Sequence, residues 1–397
     1  MGINRPGINK RMPRKLSAES LRFLKKFVSG SWDINENNSV TIEGDLDCAR
    51  GLWPDQKELP RLNIERISGN FDCSNNGLTS LVNVPNHVGG SFRCSGNKLT
   101  SLIGSPLTVG SNFDCMYNRI KTLEGCTNEI PGSFIADFNE LESLEHGPNV
   151  VLGDYRISTN KISSLNGSPK NIGGSFQCEN NILTSLVGGP FEVGGFYNCS
   201  ENSLSSLNGS PDHIKGRFIC SNNLLETLEF GPKVVDGDYL CHSNLLTNLL
   251  GSPEKIGSAL NCSSNLIISL QGLPVMNSEN LVISSNKISE KTSAMLAKDV
   301  CTGIPFSVSL ALSWDLIDYR DQENLSCFLD FLNVSDYIFN TFKNDPVETA
   351  KIYDRLPIHI KNKVIKEISK RSKDSGVFER SIENISDLMQ AGIFDDI

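Results

Sequence analysis

Asparagine returns at every twenty-first position over more than half of the chain, with no insertion or deletion between the first and the last. The eleven positions are Asn76, Asn97, Asn118, Asn139, Asn160, Asn181, Asn202, Asn223, Asn244, Asn265 and Asn286. A fixed period of this length indicates stacked units of equal size, each of which buries its apolar face only against its neighbours. The chain is therefore expected to form a solenoid in which each of these asparagines has a structural role.

Other residue types keep the same phase as the asparagines. An aromatic residue or leucine stands five positions before each one, and cysteine stands three before, replaced by Ala136, Ile157 or Ile283 in three repeats. This alternation predicts a short strand with two inward side chains. The asparagine amide is expected to satisfy backbone groups in the turn that follows. A recurring proline on the return side disfavours a helix there and favours extended or 3₁₀ structure.

These columns resemble the leucine-rich-repeat signature Leu-x-x-Leu-x-Leu-x-x-Asn-x-Leu, with Phe and Cys in place of two leucines. The segment Ser-Phe-Arg-Cys-Ser-Gly-Asn-Lys-Leu-Thr-Ser-Leu-Ile-Gly-Ser-Pro at 91–106 looks like the Phe-x-Cys-x-x-Asn repeats of proteins encoded by tailed phages and some bacteria. The resemblance implies an α/β repeat, a leucine-rich-repeat solenoid with a parallel β-sheet on its concave face. A weaker likeness is to bacterial type III effectors, some of which add a ubiquitin-ligase domain. Their repeats carry a Leu-Pro pair, which the repeats here contain only at Leu273–Pro274.

Composition divides the chain into three segments. They are an N-terminal helix and capping region at 1–64, the solenoid of about eleven repeats at 65–290, and a helical C-terminal domain at 291–397. In the first segment, helical spacing predicts a helix over 18–29, with Ser17 capping its start and Gly30 its end. Cys48 lies 25 residues before Cys73, which suggests a degenerate first coil with a four-residue insertion.

Charge and composition exclude several classes of protein. The formal net charge of −9 disfavours nucleic acid as the default partner, because binding to phosphates needs a basic face. No apolar run reaches transmembrane length, and no apolar core follows the basic N-terminus as a signal peptide requires. These features predict a cytoplasmic protein without a membrane partner, in the host cytoplasm if it is phage-encoded. The twelve cysteines mostly follow the repeat, which favours reduced core thiols over disulfides or metal ligands.

No catalytic motif stands out. The chain lacks a P-loop, a Gly-x-Gly-x-x-Gly loop, a His-Glu-x-x-His pair and a Gly-x-Ser-x-Gly elbow. Cys327 and Asp330 form Cys-x-x-Asp instead of the Cys-x-Asp of the effector ligases, and the apolar residues around Cys327 favour a core position. We therefore expect a protein that is not an enzyme, with no catalytic residue, no metal site and no cofactor.

A cluster of large side chains interrupts the small polar residues predicted on the concave sheet. Its members, with the arginines of the flanking coils, are Met116, Tyr117, Ile135, Phe138, Arg93 and Arg156. Exposed aromatic residues beside charge are typical of interface hot spots, so this cluster is the predicted binding site for a protein partner. The terminal domain or a second subunit could cover it instead, and the sequence does not specify the oligomeric state.

Three functions remain open at this point. The first is a non-enzymatic protein–protein interaction module of phage or bacterial origin. The second is a bacterial effector whose repeats select a target that its helical domain modifies, as a ubiquitin ligase does. The third is a structural component of a virion or of its assembly. The sequence does not identify the partner or the role of the C-terminal domain.

Overall fold

The computed structural model describes residues 16–52, 56–268, 272–274 and 281–287, which belong to two compact units. The first unit contains the described residues up to Leu224 together with Phe230–Gly237. The second contains Leu225–Glu229 and the described residues from Asp238 onward. The predicted helical domain at 291–397 lies outside the described residues.

One helix and three longer strands precede the regular coils. They are α1 (Ala18–Phe27), β1 (Val28–Ile34), β2 (Val40–Asp47) and β3 (Ile64–Ile67). The strands that carry the aromatic column, which we call the front strands, are β4 (Phe71–Asp72), β6 (Phe92–Arg93), β8 (Phe113–Asp114), β10 (Phe134–Ile135), β12 (Tyr155–Arg156), β14 (Phe176–Gln177), β16 (Tyr197–Asn198), β18 (Phe218–Ile219), β20 (Tyr239–Leu240), β22 (Leu260–Asn261) and β23 (Leu281–Val282). The strands of the return side, the back strands, are β5 (His87–Val88), β7 (Thr108–Val109), β9 (Glu129–Ile130), β11 (Val150–Val151), β13 (Asn171–Ile172), β15 (Glu192–Val193), β17 (His213–Ile214), β19 (Val234–Val235) and β21 (Lys255–Ile256).

Within each unit the front strands pair in parallel with no shift in register, so equivalent residues of successive coils are direct neighbours. In the first unit Phe134 pairs with Phe113 on one side and with Tyr155 on the other. In the second unit β20, β22 and β23 are joined in the same way. The aromatic side chains point inward and are fully buried. From Phe71 to Phe218 consecutive rings lie 4.9–5.8 Å apart between centroids, forming one continuous column through the core of the first unit.

The described coils are extended on both sides. Back strands also pair in parallel, as Val151 does with Ile172, and their inward Val or Ile side chains close the core opposite the aromatic column. The expectation of an extended return side is therefore correct, and the 3₁₀ alternative is not adopted in the described coils. The α/β class is corrected to an all-β parallel solenoid there, because a coil of 21 residues interrupted by Gly and Pro leaves no room for a helix.

The helix of the capping region is shorter than its sequence pattern predicts. Ser17 accepts a hydrogen bond from the Ser20 N–H at 3.0 Å and caps α1 as expected, but the helix ends at Phe27. Gly30 is not its C-cap; it lies in β1 opposite Gly44, at a φ of +135°. A side chain on Gly30 would collide with the Glu43 carbonyl oxygen, so the glycine permits the close approach of β1 and β2.

Strand β2 covers the first coil. Its start pairs with β3, which continues into the back strands, while Leu46 near its end pairs with Phe71 of the front strands. The Cys48 N–H donates to the Asp72 carbonyl at 2.8 Å, which aligns Cys48 with the cysteine column despite the longer spacing. One strand thus satisfies the exposed edges of both sheets at this end.

Candidate functional site

Each asparagine of the repeat binds backbone groups of two coils. The Asn181 Nδ2 donates to the carbonyl oxygens of Ile157, Cys178 and Glu179 at 3.0, 3.1 and 3.3 Å. Its Oδ1 accepts the Ile162 N–H at 3.0 Å. The same three-carbonyl pattern recurs, for example, at Asn118 and Asn223. Within the first unit the asparagine therefore fixes the turn at the end of each front strand and links its coil to the preceding one.

The residue immediately before each asparagine has a left-handed backbone. Its φ lies between +54° and +64° in all eleven coils. Asn, Gly and Ser occupy most of these positions, and glycine and asparagine visit this region most readily. The other four coils carry Thr159, Glu201 and two aromatic residues, Tyr117 at +54° and Phe138 at +55°. A left-handed conformation costs such side chains about 1–2 kcal/mol each, so they stand there against the local preference of the backbone.

Tyr117 and Phe138 stack on each other in solvent. Their ring centroids are 4.5 Å apart and their planes differ by 14°, while 53% and 42% of the two residues is exposed. The stack lies where successive coils place equivalent residues at the strand spacing of about 4.8 Å. The structure thus brings together the two aromatic members of the predicted cluster.

The aliphatic members of the cluster are less accessible. Met116 and Ile135 are both half-buried. Ile135 lies in β10 between Asp114 and Arg156 of the adjacent strands, so it belongs to the sheet surface and not to the turn that carries the aromatic pair.

The two predicted arginines already have carboxylate neighbours in the chain. Arg93 is half exposed, and its Nη1 lies 4.0 Å from Asp72 Oδ2. Arg156 holds Asp137 much more closely, with Nη2 at 2.6 Å and Nε at 2.8 Å from Oδ2. The Asp137 side chain is 1% exposed, so Arg156 neutralises a buried carboxylate. Arg93 is therefore the freer of the two cations.

Asp137, which pairs with Arg156, is a member of this surface that the sequence analysis did not include in the predicted binding site. Its column is otherwise mainly serine, and an arginine stands two positions before the same column in the next coil. A carboxylate in a serine column, diagonally across from an arginine, is the signal that could have identified the pair.

Glu179 extends this group of charges on the next coil. Burial raises the pKa of its carboxyl above the usual range, and the repulsion from Asp137 acts in the same direction. One carboxylate oxygen, Oε2, is buried with no hydrogen-bond partner among the described residues. Burial likewise raises the pKa of Asp114. The sheet surface beside the aromatic pair therefore carries carboxyl groups that are poorly solvated.

The thiols of the cysteine column are buried. Burial raises the pKa of Cys94, Cys115 and Cys199 well above the ordinary thiol value, and the Cys199 thiol donates to the Ile219 carbonyl at 3.3 Å. Over the described residues, no three His, Cys, Asp or Glu side chains are grouped as a metal site would require. Within the same residues, no helix is long and apolar enough to cross a membrane.

Comparison with known proteins gives a solved structure that is similar to part of this chain. No protein-family model and no curated protein matches the sequence. The chain is similar to YopM from Yersinia enterocolitica, with 23% identity and a TM-score of 0.46. The alignment covers 58% of this chain and 49% of that one, so the match spans about half the length of YopM.

Proposed function

We propose that the protein is a non-enzymatic leucine-rich-repeat module that binds a protein partner, with the Tyr117–Phe138 stack as its anchor. The observation that carries the proposal is the placement of two exposed aromatic rings on left-handed residues. Stacking of two rings contributes about 0.5–1.5 kcal/mol. The backbone cost of placing them there is at least as large. The folded chain alone therefore gains little from the pair, and a partner that buries the rings gives a reason for them.

The proposal includes action in a cytoplasm, in a bacterial or phage-infected cell as the repeat type implies. Cys94, Cys115 and Cys199 are thiols and not members of disulfides, which suits a reducing compartment. The raised pKa values of the buried thiols favour a binding role for the solenoid over thiol chemistry.

The test compares partner capture by the full chain with capture by Tyr117→Asn/Phe138→Asn. Asparagine occupies the same left-handed position at Asn75, Asn180 and Asn222, so the substitution respects the backbone. Loss of an aromatic anchor typically costs about 2 kcal/mol, or roughly 30-fold in Kd. The melting transition should change little, because losing the stack and relieving the backbone act in opposite directions.

The matched control is Glu201→Ala, at an exposed left-handed position four coils from Tyr117. It should leave capture unchanged. Undiminished capture by the double asparagine variant would remove the aromatic pair from the binding site.

A further inference from the structure

Strand β1 has one edge that pairs with no other strand of the described residues. It is joined on its other side to β2, in antiparallel register. Ser29, Gly30 and Ser31 in the strand are all exposed, so the side of the strand away from β2 is accessible to solvent. We call that side the outer edge of β1.

The register of β1 on β2 shows which backbone groups point to the outer edge. Gly44 and Ile42 of β2 direct their carbonyls away from β1, since both accept N–H groups at 2.9 Å from the residues directly after β3. In an antiparallel pair of this kind, the opposite residues turn their N–H and C=O groups away from each other. Gly30 lies opposite Gly44, and Trp32 lies opposite Ile42. The N–H and C=O groups of Gly30 and Trp32 therefore face the outer edge.

The outer edge lacks the residues that usually protect an edge strand from pairing. The strand contains one charged residue, Asp33, and neither lysine nor proline. Trp32 and Ile34 lie opposite buried residues of β2, and so on the core side of the sheet, yet both are only half-buried. The core is thus incompletely covered along β1.

The sequence of β1 suits pairing with a second β1 in antiparallel orientation. A two-fold axis at Ser31 sets Gly30 opposite Trp32 of the second copy, so that the outward backbone groups of both strands form hydrogen bonds. The indole of Trp32 then lies over a glycine, which has no side chain to obstruct it. Ile34 comes opposite Val28 of the second copy, and an apolar row continues from one core to the other.

The charges that flank β1 are complementary in the same orientation. The exposed Lys25 precedes the strand, and the exposed Glu36 follows it. Among the described residues, neither side chain takes part in an ion pair. Antiparallel pairing sets the start of one strand beside the end of the other, which brings Lys25 of each copy toward Glu36 of the other. The two Asp33 carboxylates stay about 13 Å apart, four residues along the paired strands.

We propose that the protein forms a two-fold symmetric dimer in which the outer edges of β1 pair about Ser31 and join the two sheets. A strand from another protein would have to supply both a large side chain opposite Gly30 and charges opposite Lys25 and Glu36, which a second copy of this chain supplies already. The pairing uses no residue of the Tyr117–Phe138 stack, so it is independent of the binding role proposed above.

Sedimentation velocity of the full chain, in a reducing buffer of low ionic strength, tests the assembly. We expect a species of twice the 43.6 kDa of one chain, which dissociates on dilution. Lys25→Glu should raise the Kd of the dimer roughly 10-fold, because it sets like charges side by side twice in each dimer. Lys25→Glu/Glu36→Lys restores opposite charges and should return the Kd to the native value.

Disulfide trapping locates the two-fold axis. A Cys126→Ser/Cys301→Ser/Cys327→Ser background removes the half-buried thiol and the two thiols outside the described residues. Ser31→Cys should then form a covalent dimer with oxidised glutathione, because residues on the axis have Cα atoms about 4.5 Å apart, within disulfide range. Ser29→Cys is the matched control; it is exposed in the same strand, but its two copies would lie about 13 Å apart and should not cross-link.

The possible results decide for or against this pairing. Cross-linking of Ser31→Cys and not of Ser29→Cys, with a native dimer in sedimentation, would support it. A monomer at every concentration up to about 100 μM would overturn the dimer, since a specific interface of ordinary strength is occupied there. A dimer in which both cysteine variants cross-link equally, or neither does, would show that another surface associates. A Kd unchanged by Lys25→Glu would reject the antiparallel orientation.

Discussion

Asn181 illustrates how one carboxamide supports the turn of a coil. Asn181 is buried, and its side chain makes four hydrogen bonds to three backbone carbonyl oxygens and one backbone N–H. Water cannot reach these backbone groups to replace the carboxamide. We expect Asn181→Ala to lower the free energy of unfolding by about 1–3 kcal/mol, since it leaves buried backbone groups unpaired. Urea unfolding gives the value. Asn171→Ala, at an exposed position of β13, is the control and should stay within about 0.5 kcal/mol. Equal midpoints for the two variants would contradict the role of the asparagine.

Glu179 makes the stability depend on pH. Because burial raises the pKa of Glu179 in the folded state, the folded chain holds this proton more tightly than the unfolded chain does. The free energy of unfolding therefore falls as the pH rises from the unfolded pKa through the folded pKa. We expect Glu179→Gln to raise the Tm at pH 7 by roughly 1–2 °C. The gain should vanish below about pH 4, where the carboxyl is protonated in both states. The exposed Glu192→Gln is the control; a Tm gain from Glu179→Gln that persists at low pH would refute this explanation.

At the scale of the structural element, coils with a tyrosine in the front strand alternate with coils with a phenylalanine there, from Tyr155 to Tyr239. Three front strands carry Tyr in place of Phe, and each of these tyrosines follows a glycine by eight residues: Gly147 and Tyr155, Gly189 and Tyr197, Gly231 and Tyr239. The coils between them pair Phe176 with Ser168 and Phe218 with Ser210 at the same positions. A Cβ on Gly189 would lie 3.5 Å from the Tyr197 hydroxyl and 3.0 Å from Leu165 Cδ1. The Tyr197 hydroxyl thus lies close to the space that a serine side chain takes in the coils with phenylalanine, at Ser168 and Ser210.

This exchange predicts coupled substitutions. Gly189→Ser alone should destabilise the protein by crowding the Tyr197 hydroxyl and Leu165. Tyr197→Phe alone should be neutral or stabilising, because this hydroxyl is buried without a partner among the described residues. In the double variant, Gly189→Ser should lower the free energy of unfolding by about 0.5–3 kcal/mol less than it does in the native chain, which is the range of coupling observed for residues in contact. Urea unfolding of the four proteins measures the coupling, and strictly additive effects would show that the two positions do not share space.

The sequence predicted the elements that repeat and missed the features that occur once. Asparagine, aromatic and cysteine columns indicated the front strands and the extended return side because the same pattern is stated eleven times. Gly30 was misread because a glycine after a helical pattern fits a cap as well as a strand crossing. Adjacency of Tyr117 and Phe138 followed from the period, but their stacking and left-handed backbones required coordinates. The Arg156–Asp137 ion pair depends on where the side chains of two successive coils point, and the repeat pattern does not specify those directions.

At the scale of the whole molecule, successive coils within the first compact unit are hydrogen-bonded to each other through the backbone. The Cys115 N–H donates to the Ile135 carbonyl at 2.8 Å, and the Ile157 N–H donates to the Gln177 carbonyl at 2.9 Å. Exposing one buried thiol therefore requires the separation of neighbouring coils as well as the opening of its own. Cys126 is the most accessible thiol of those described, and burial still raises its pKa to about 12.

Thiol reactivity is therefore expected to report unfolding of the solenoid. In a Cys301→Ser/Cys327→Ser background, which removes the two cysteines outside the described residues, an aromatic disulfide reagent at pH 8 should label the native protein at least about 100-fold more slowly than the urea-unfolded chain. Cys126 should react first, because its side chain is partly exposed whereas Cys199 and Cys220 are buried. Peptide mapping of the labelled sites over time gives the order. Rapid modification of Cys199 or Cys220 under native conditions would mean that the column opens without unfolding, and that the cysteines are not an inert part of the core.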